Sequence, residues 1–139
     1  MDTDEPCLRY FNMGQWPCYV GFTIKQEEFD AEMKRLKVDD APQWLNPGAA
    51  ATTHFLGKYD MLTIIVCMQR APKRSREQIA ALIAHEAVHV MQEMQEHFYK
   101  SGKFDDETQA YLVQYLVQNF LYEYNKPGKE MSRSNTPCA

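Results

Sequence analysis

Residues 79–91 read IAALIAHEAVHVM, and only His85, Glu86 and His89 among those thirteen side chains are polar. A run that apolar at helical length predicts a helix central to the fold, because a helix that is apolar nearly all round has to be covered. Its start is marked: Ser75 with Gln78 three residues on is a capping box, and Glu77 favours the positive end of the helix. The pattern continues to about Lys100, where Gly102 suits the helix end. Polar groups inside such a helix cost free energy unless something satisfies them.

The three polar residues fall in the order His-Glu-Ala-Val-His at 85–89. On a helix, positions i and i+4 share a face about 6 Å apart. Two imidazoles so placed can hold one Zn2+ ion, and the intervening Glu86 can act as general base on a water in the open coordination position. The competing reading puts both histidines on a solvent-facing edge, or in the core bonded to protein groups. A catalytic zinc needs a third protein ligand. A third histidine on the same stretch would require Gly at 92 and His at 95, but Gln92 and Gln95 stand there. A glutamate from a following helix is the other route. Asp105 or Asp106 caps a second helix that runs to about Tyr124 and stops at Pro127-Gly128; Glu107 lies in its first turn. Residues 97–103 suffice to turn the chain back into an antiparallel helix pair. Glu107 is the leading third ligand, with Asp105, Asp106 and Glu123 as rivals, or it serves only the helix dipole. Glu96 shares the histidine stripe but sits about 10 Å along the axis from His89, too far to join. In the second helix Glu107, Tyr111, Gln114 and Gln118 form one stripe, while Leu112, Val113, Leu116, Val117, Phe120 and Leu121 form the core stripe.

The remainder predicts a small α+β fold. Residues 1–21 read as irregular, with Pro6, Gly14, Pro17 and Gly21 as breaks. Residues 26–37 form a short helix with Phe29, Met33 and Leu36 on its apolar stripe. Asp39 to Gly48, with Pro42 and Pro47, is loop, and Trp16 and Trp44 anchor loops to the core. Residues 50–56 and 61–68 form a β-hairpin joined by GKYD. The expectation is one domain, 1–127: a two- or three-stranded antiparallel sheet on an antiparallel helix pair, with the short N-terminal helix alongside and a loose tail at 128–139. Tyr122 and Tyr124 suggest an aromatic dimer face, with the oligomeric state otherwise open.

Composition narrows the partners. The 139 residues carry 15 Lys and Arg against 19 Asp and Glu, a net charge of −4. Without a basic surplus, nucleic acid is not an expected partner. The acidic start has no apolar core behind it, so no secretory signal is expected, and MLTIIVCM is far short of a membrane span of about 20 residues. Cys7, Cys18, Cys67 and Cys138 form no C-x-x-C pair. They read as four reduced thiols of a cytoplasmic protein, with Cys67 in the core.

HEAVH on a central helix, with a glutamate on the next, resembles the gluzincin type of zinc metallopeptidase. More closely, HEAVHVMQ followed by ETQAYLVQ resembles small metallopeptidase-like proteins encoded by bacteriophages and prophages. The likeness covers about residues 61–124. It implies a zincin-like fold, His85, His89 and Glu107 as zinc ligands, and Glu86 as the base. Gluzincins often carry Asn before the third-ligand Glu, where this chain has Asp106. The resemblance also implies a Tyr or His that stabilises the oxyanion; Tyr111 is the first candidate and His54 the second, though Tyr111 reads equally as a core aromatic. A peptide or protein substrate would add as a strand to the 50–68 hairpin. The implied setting is the host cytoplasm or the virion. The alternative is a phage structural or host-interaction protein that keeps a zinc site for stability or binding without turnover.

Overall fold

The computed structural model of the chain describes residues 7–58 and 61–126. The tail at 128–139, the Pro127-Gly128 stop and the second half of the GKYD connection lie outside the described residues. The described residues form an α+β fold, with a four-stranded mixed sheet and three helices among them. It divides into two compact units, one reaching to Arg70 and the other beginning at Ala71.

The first unit holds β1 (Tyr10–Phe11), β2 (Cys18–Thr23), α1 (Gln26–Arg35), β3 (Ala51–Lys58) and β4 (Met61–Met68). The predicted hairpin is present: β3 and β4 pair antiparallel from Ala51↔Met68 to Lys58↔Met61 without a break in register. The sheet is larger than expected and not purely antiparallel. Its order is β1-β2-β4-β3, and β2 runs parallel to β4. The strand at 18–23 was hidden by Gly21, which reads as a break. Gly21 is instead a close-approach residue, because a Cβ there would meet the Arg9 carbonyl oxygen at 3.1 Å and Leu8 Cδ2 at 3.2 Å. α1 lays Phe29 and Met33 into a core with Leu8, Tyr10, Ile65 and Cys67, and Leu36, Trp44 and Leu56 pack around it. Trp44 thus anchors its loop as expected.

One charge is drawn into this core. Glu32 is buried, and its carboxylate accepts from the Tyr10 hydroxyl at 2.5 Å and from Arg35 Nε and Nη2 at 2.9 and 2.6 Å. Burial first, and then the Glu32 carboxylate, push the Tyr10 hydroxyl well above its ordinary range. Glu32→Ala is therefore expected to cost about 1.5–3 kcal/mol, since it removes the charged acceptor that the Tyr10 hydroxyl and the Arg35 guanidinium share. Arg35, half exposed, should cost only about 0–1 kcal/mol when truncated. Urea unfolding of both variants checks this, and equal losses would refute the network's importance.

The second unit is the pair α2 (Arg76–Phe98) and α3 (Asp106–Asn125), which pack against each other across the connection 99–105. Both arms of the capping box form: Ser75 Oγ accepts from the Gln78 N–H at 3.1 Å, and Gln78 Oε1 accepts from the Ser75 N–H at 2.8 Å. Asp105 caps α3 through the Thr108 N–H. Ile83, Ala87, Val90 and Met94 make the buried stripe of α2, and Leu112, Leu116, Phe120 and Tyr124 that of α3. Burial of Tyr124 removes it from any dimer face. No helix among the described residues is long and apolar enough to cross a membrane.

Cys18 and Cys67 are free and buried as expected of thiols in a core, but Cys7 is disulfide-bonded. That corrects the expectation of four reduced thiols, which rested on a core that looked sufficient without a disulfide.

Candidate metal centre

α2 is less central than its sequence suggested. Ala81, His85, Val88, His89 and Gln92 are all exposed, so one face of the helix meets solvent. Alanine and valine on that face made an amphipathic helix look apolar all round. Both histidines therefore stand on the open face, while Glu86 is 8% exposed and belongs to the buried stripe. No buried side-chain nitrogen or oxygen among the described residues lacks a hydrogen bond, so the buried polar atoms of α2 are satisfied without a metal.

The two histidines are brought together. His85 Nε2 and His89 Nε2 lie 3.1 Å apart, with ring centroids at 4.6 Å and the rings nearly perpendicular. The contact is a hydrogen bond from one ring nitrogen to the other, its direction set by the tautomers. Two imidazole nitrogens at Zn–N distances of about 2.0–2.1 Å on a tetrahedral ion are about 3.3 Å apart. The observed separation is close to that value.

The third donor is not assembled. Among the described residues, no group of three or more His, Cys, Asp and Glu side chains is placed to hold a metal. Two rivals are otherwise engaged: Asp105 is the helix cap, its carboxyl lowered by the bond from Thr108, and Glu123 pairs with Lys126 at 2.8 Å. Glu107 and Asp106 remain exposed in the first turn of α3. The cysteines do not substitute. Burial pushes the Cys18 thiol up to about 11 and raises that of Cys67 further, so neither offers a thiolate near neutral pH.

Tyr111 is 62% exposed, one turn beyond Glu107, which rules out the core-aromatic reading and leaves its hydroxyl accessible. His54 is different. It is buried in the sheet unit, where its Nε2 bonds to the Trp44 carbonyl at 3.0 Å and its ring lies 4.6 Å from that of Phe29. It ties loop to core. The sheet order also shows which hairpin strand is the edge. β4, the strand before α2, is interior, whereas β3 pairs with a described strand on one side alone and exposes Phe55.

One set of contacts around α3 has no sequence signal. Gln95 Oε1 accepts from the Phe104 N–H at 2.9 Å, and Gln109 Nε2 donates to the Phe104 carbonyl at 2.8 Å. Glutamines at interior helix positions look like ordinary polar filler, and only the folded connection reveals them as a clamp.

No family model, no curated protein and no solved structure matches this chain.

Proposed function

We propose that the chain is a zinc-dependent peptidase of the gluzincin type and zincin-like fold, with His85, His89 and Glu107 as ligands and Glu86 as general base. The observation that carries the reading is the 3.1 Å separation of the two Nε2 atoms on an exposed helix face. Zinc, when bound, supplies Lewis acidity and lowers the pKa of water to about 7. Glu86, next to the first ligand, takes the proton from the attacking water and passes it to the leaving amine. Tyr111, exposed beside Glu107, donates its hydroxyl to the oxyanion that develops on the substrate. The substrate is a peptide or protein, and the host cytoplasm is the compartment that goes with a phage-encoded enzyme of this kind.

A second reading has its own support. Glu86 is buried while the imidazoles are exposed, and among the described residues no third donor stands beside them. Both facts suit a phage structural or host-interaction protein whose metal serves stability or binding alone.

The test is metal content followed by turnover. Protein purified without chelator should carry about one zinc per chain by elemental analysis. It should also cleave members of a broad peptide library read by mass spectrometry. Zinc-free protein that binds none on titration would sink both readings. Zinc retained without cleavage, together with a melting temperature that rises with zinc, would select the second.

A further inference from the structure

We propose that His85 and His89 join two copies of this chain through one zinc ion, each copy supplying two of the four imidazoles; the inference rests on zinc binding by the pair and gives the second reading above its partner. The donors available favour it. Each chain presents two Nε2 atoms 3.1 Å apart on an exposed helix face, and among the described residues no third donor joins them. A structural zinc takes four donors in a tetrahedron. Two nitrogens at that separation make one edge of it, and the opposite edge has the same length. An identical pair from a second copy, related by a two-fold axis through the ion, supplies that edge. No further donor then has to be brought from elsewhere in either chain.

The surface around the pair suits a second copy. Exposed helix faces of soluble proteins ordinarily carry charge. Along α2 the exposed positions between Glu77 and Glu96 are Gln78, Ala81, His85, Val88, His89 and Gln92, and none of them is charged. That uncharged face is roughly 28 Å long at the helical rise per residue. α3, packed against α2, repeats the pattern: between Glu107 and Glu123 its exposed positions carry no charge and include Tyr111 and Tyr115. Depletion of charge with enrichment of tyrosine is the composition of an interface core. It also answers the particular difficulty of self-association. Each copy carries a net charge of −4, so two copies repel. A face without exposed carboxylates brings them together where that repulsion is least, and the zinc ion adds positive charge at the centre. An ion held by four imidazoles has no open position, so the bridged state is closed to the hydrolysis of the first reading.

Zinc titration of the full chain, followed by sedimentation velocity, is the test. The expected result is a doubling of mass that saturates near one zinc per two chains. Zinc at about 100 times its Kd should tighten self-association by about 100-fold, and chelator should restore monomers. His85→Ala and His89→Ala should abolish the effect. Glu107→Gln should leave it intact, because Glu107 is no donor to the bridged ion. Val88→Arg sets two guanidinium groups against each other beside the ion and should weaken the zinc-dependent dimer by about 10-fold or more. All these positions are exposed, and circular dichroism verifies that helix content is kept. One zinc per chain on a monomer overturns the proposal and leaves the zinc reading standing. A wild-type protein that binds no zinc overturns both. A dimer that survives chelation, a dimer that is lost in Glu107→Gln, or one undiminished in Val88→Arg each overturns the bridge.

Discussion

Protein with His85 or His89 replaced by alanine is expected to lose its zinc. Four-donor structural zinc sites bind with about 10–16 kcal/mol, so one donor carries roughly 3–4 kcal/mol. A single substitution should then weaken binding about 10²–10³-fold. The geometry makes the two positions interdependent. Their Nε2 atoms lie 3.1 Å apart, so removing either leaves a lone imidazole that no longer chelates. The double variant should therefore lose little beyond the worse single one, a non-additivity expected of groups that hold one ion. Both side chains are exposed, so apo-protein stability should change by no more than about 0.5 kcal/mol. Zinc at about 100 times its Kd should stabilise the wild type by about 2.7 kcal/mol and leave the variants unmoved. Gln92→Ala, on the same open face one turn away, is the control and should bind as wild type. Competition against a chromophoric chelator measures the constants, and wild-type affinity in either single variant would exclude the pair as the site.

The separation of these histidines was legible in the sequence, because spacing of four on a helix fixes it once the helix is granted. The capping box at Ser75 granted it. The stripe of α1 and the presence of the hairpin were equally local and were equally readable, but its register was not: Gly57 and Lys58, read as part of the connection, extend β3 so that Lys58 pairs with Met61. What could not be read depends on distant chain. Gly21 signals a break in isolation and a close approach once Arg9 lies against it, so β2 and the parallel pairing went unseen. Ala81 and Val88 count as apolar wherever they point, so the open face of α2 was invisible. The connection 99–105 takes its conformation from the Gln95 and Gln109 amides rather than from any turn signature.

Glu86→Gln is the variant on which the two functional readings part. The substitution keeps shape and removes only the capacity to accept a proton. Glu86 is not placed as a ligand, so zinc content should stay at the wild-type level. If Glu86 is the base, turnover should fall about 10²–10⁴-fold, the usual contribution of a positioned acid or base. That corresponds to about 3–5 kcal/mol on the barrier. Its burial sharpens the test. A carboxylate on the covered stripe of α2 could instead be structural, and then the neutral isostere would alter unfolding free energy while any cleavage kept its wild-type rate. Rate and stability therefore have to be measured on the same preparation. A large rate loss at unchanged zinc content and nearly unchanged urea midpoint identifies the base. An unchanged rate removes Glu86 from the mechanism. Because the variant binds without cleaving, it also serves as a trap for the substrate. A peptide held by zinc-loaded Glu86→Gln and released on chelation, yet cut by the wild type, would establish hydrolysis at this site; a partner held equally by both proteins and never cut would leave the metal a binding role.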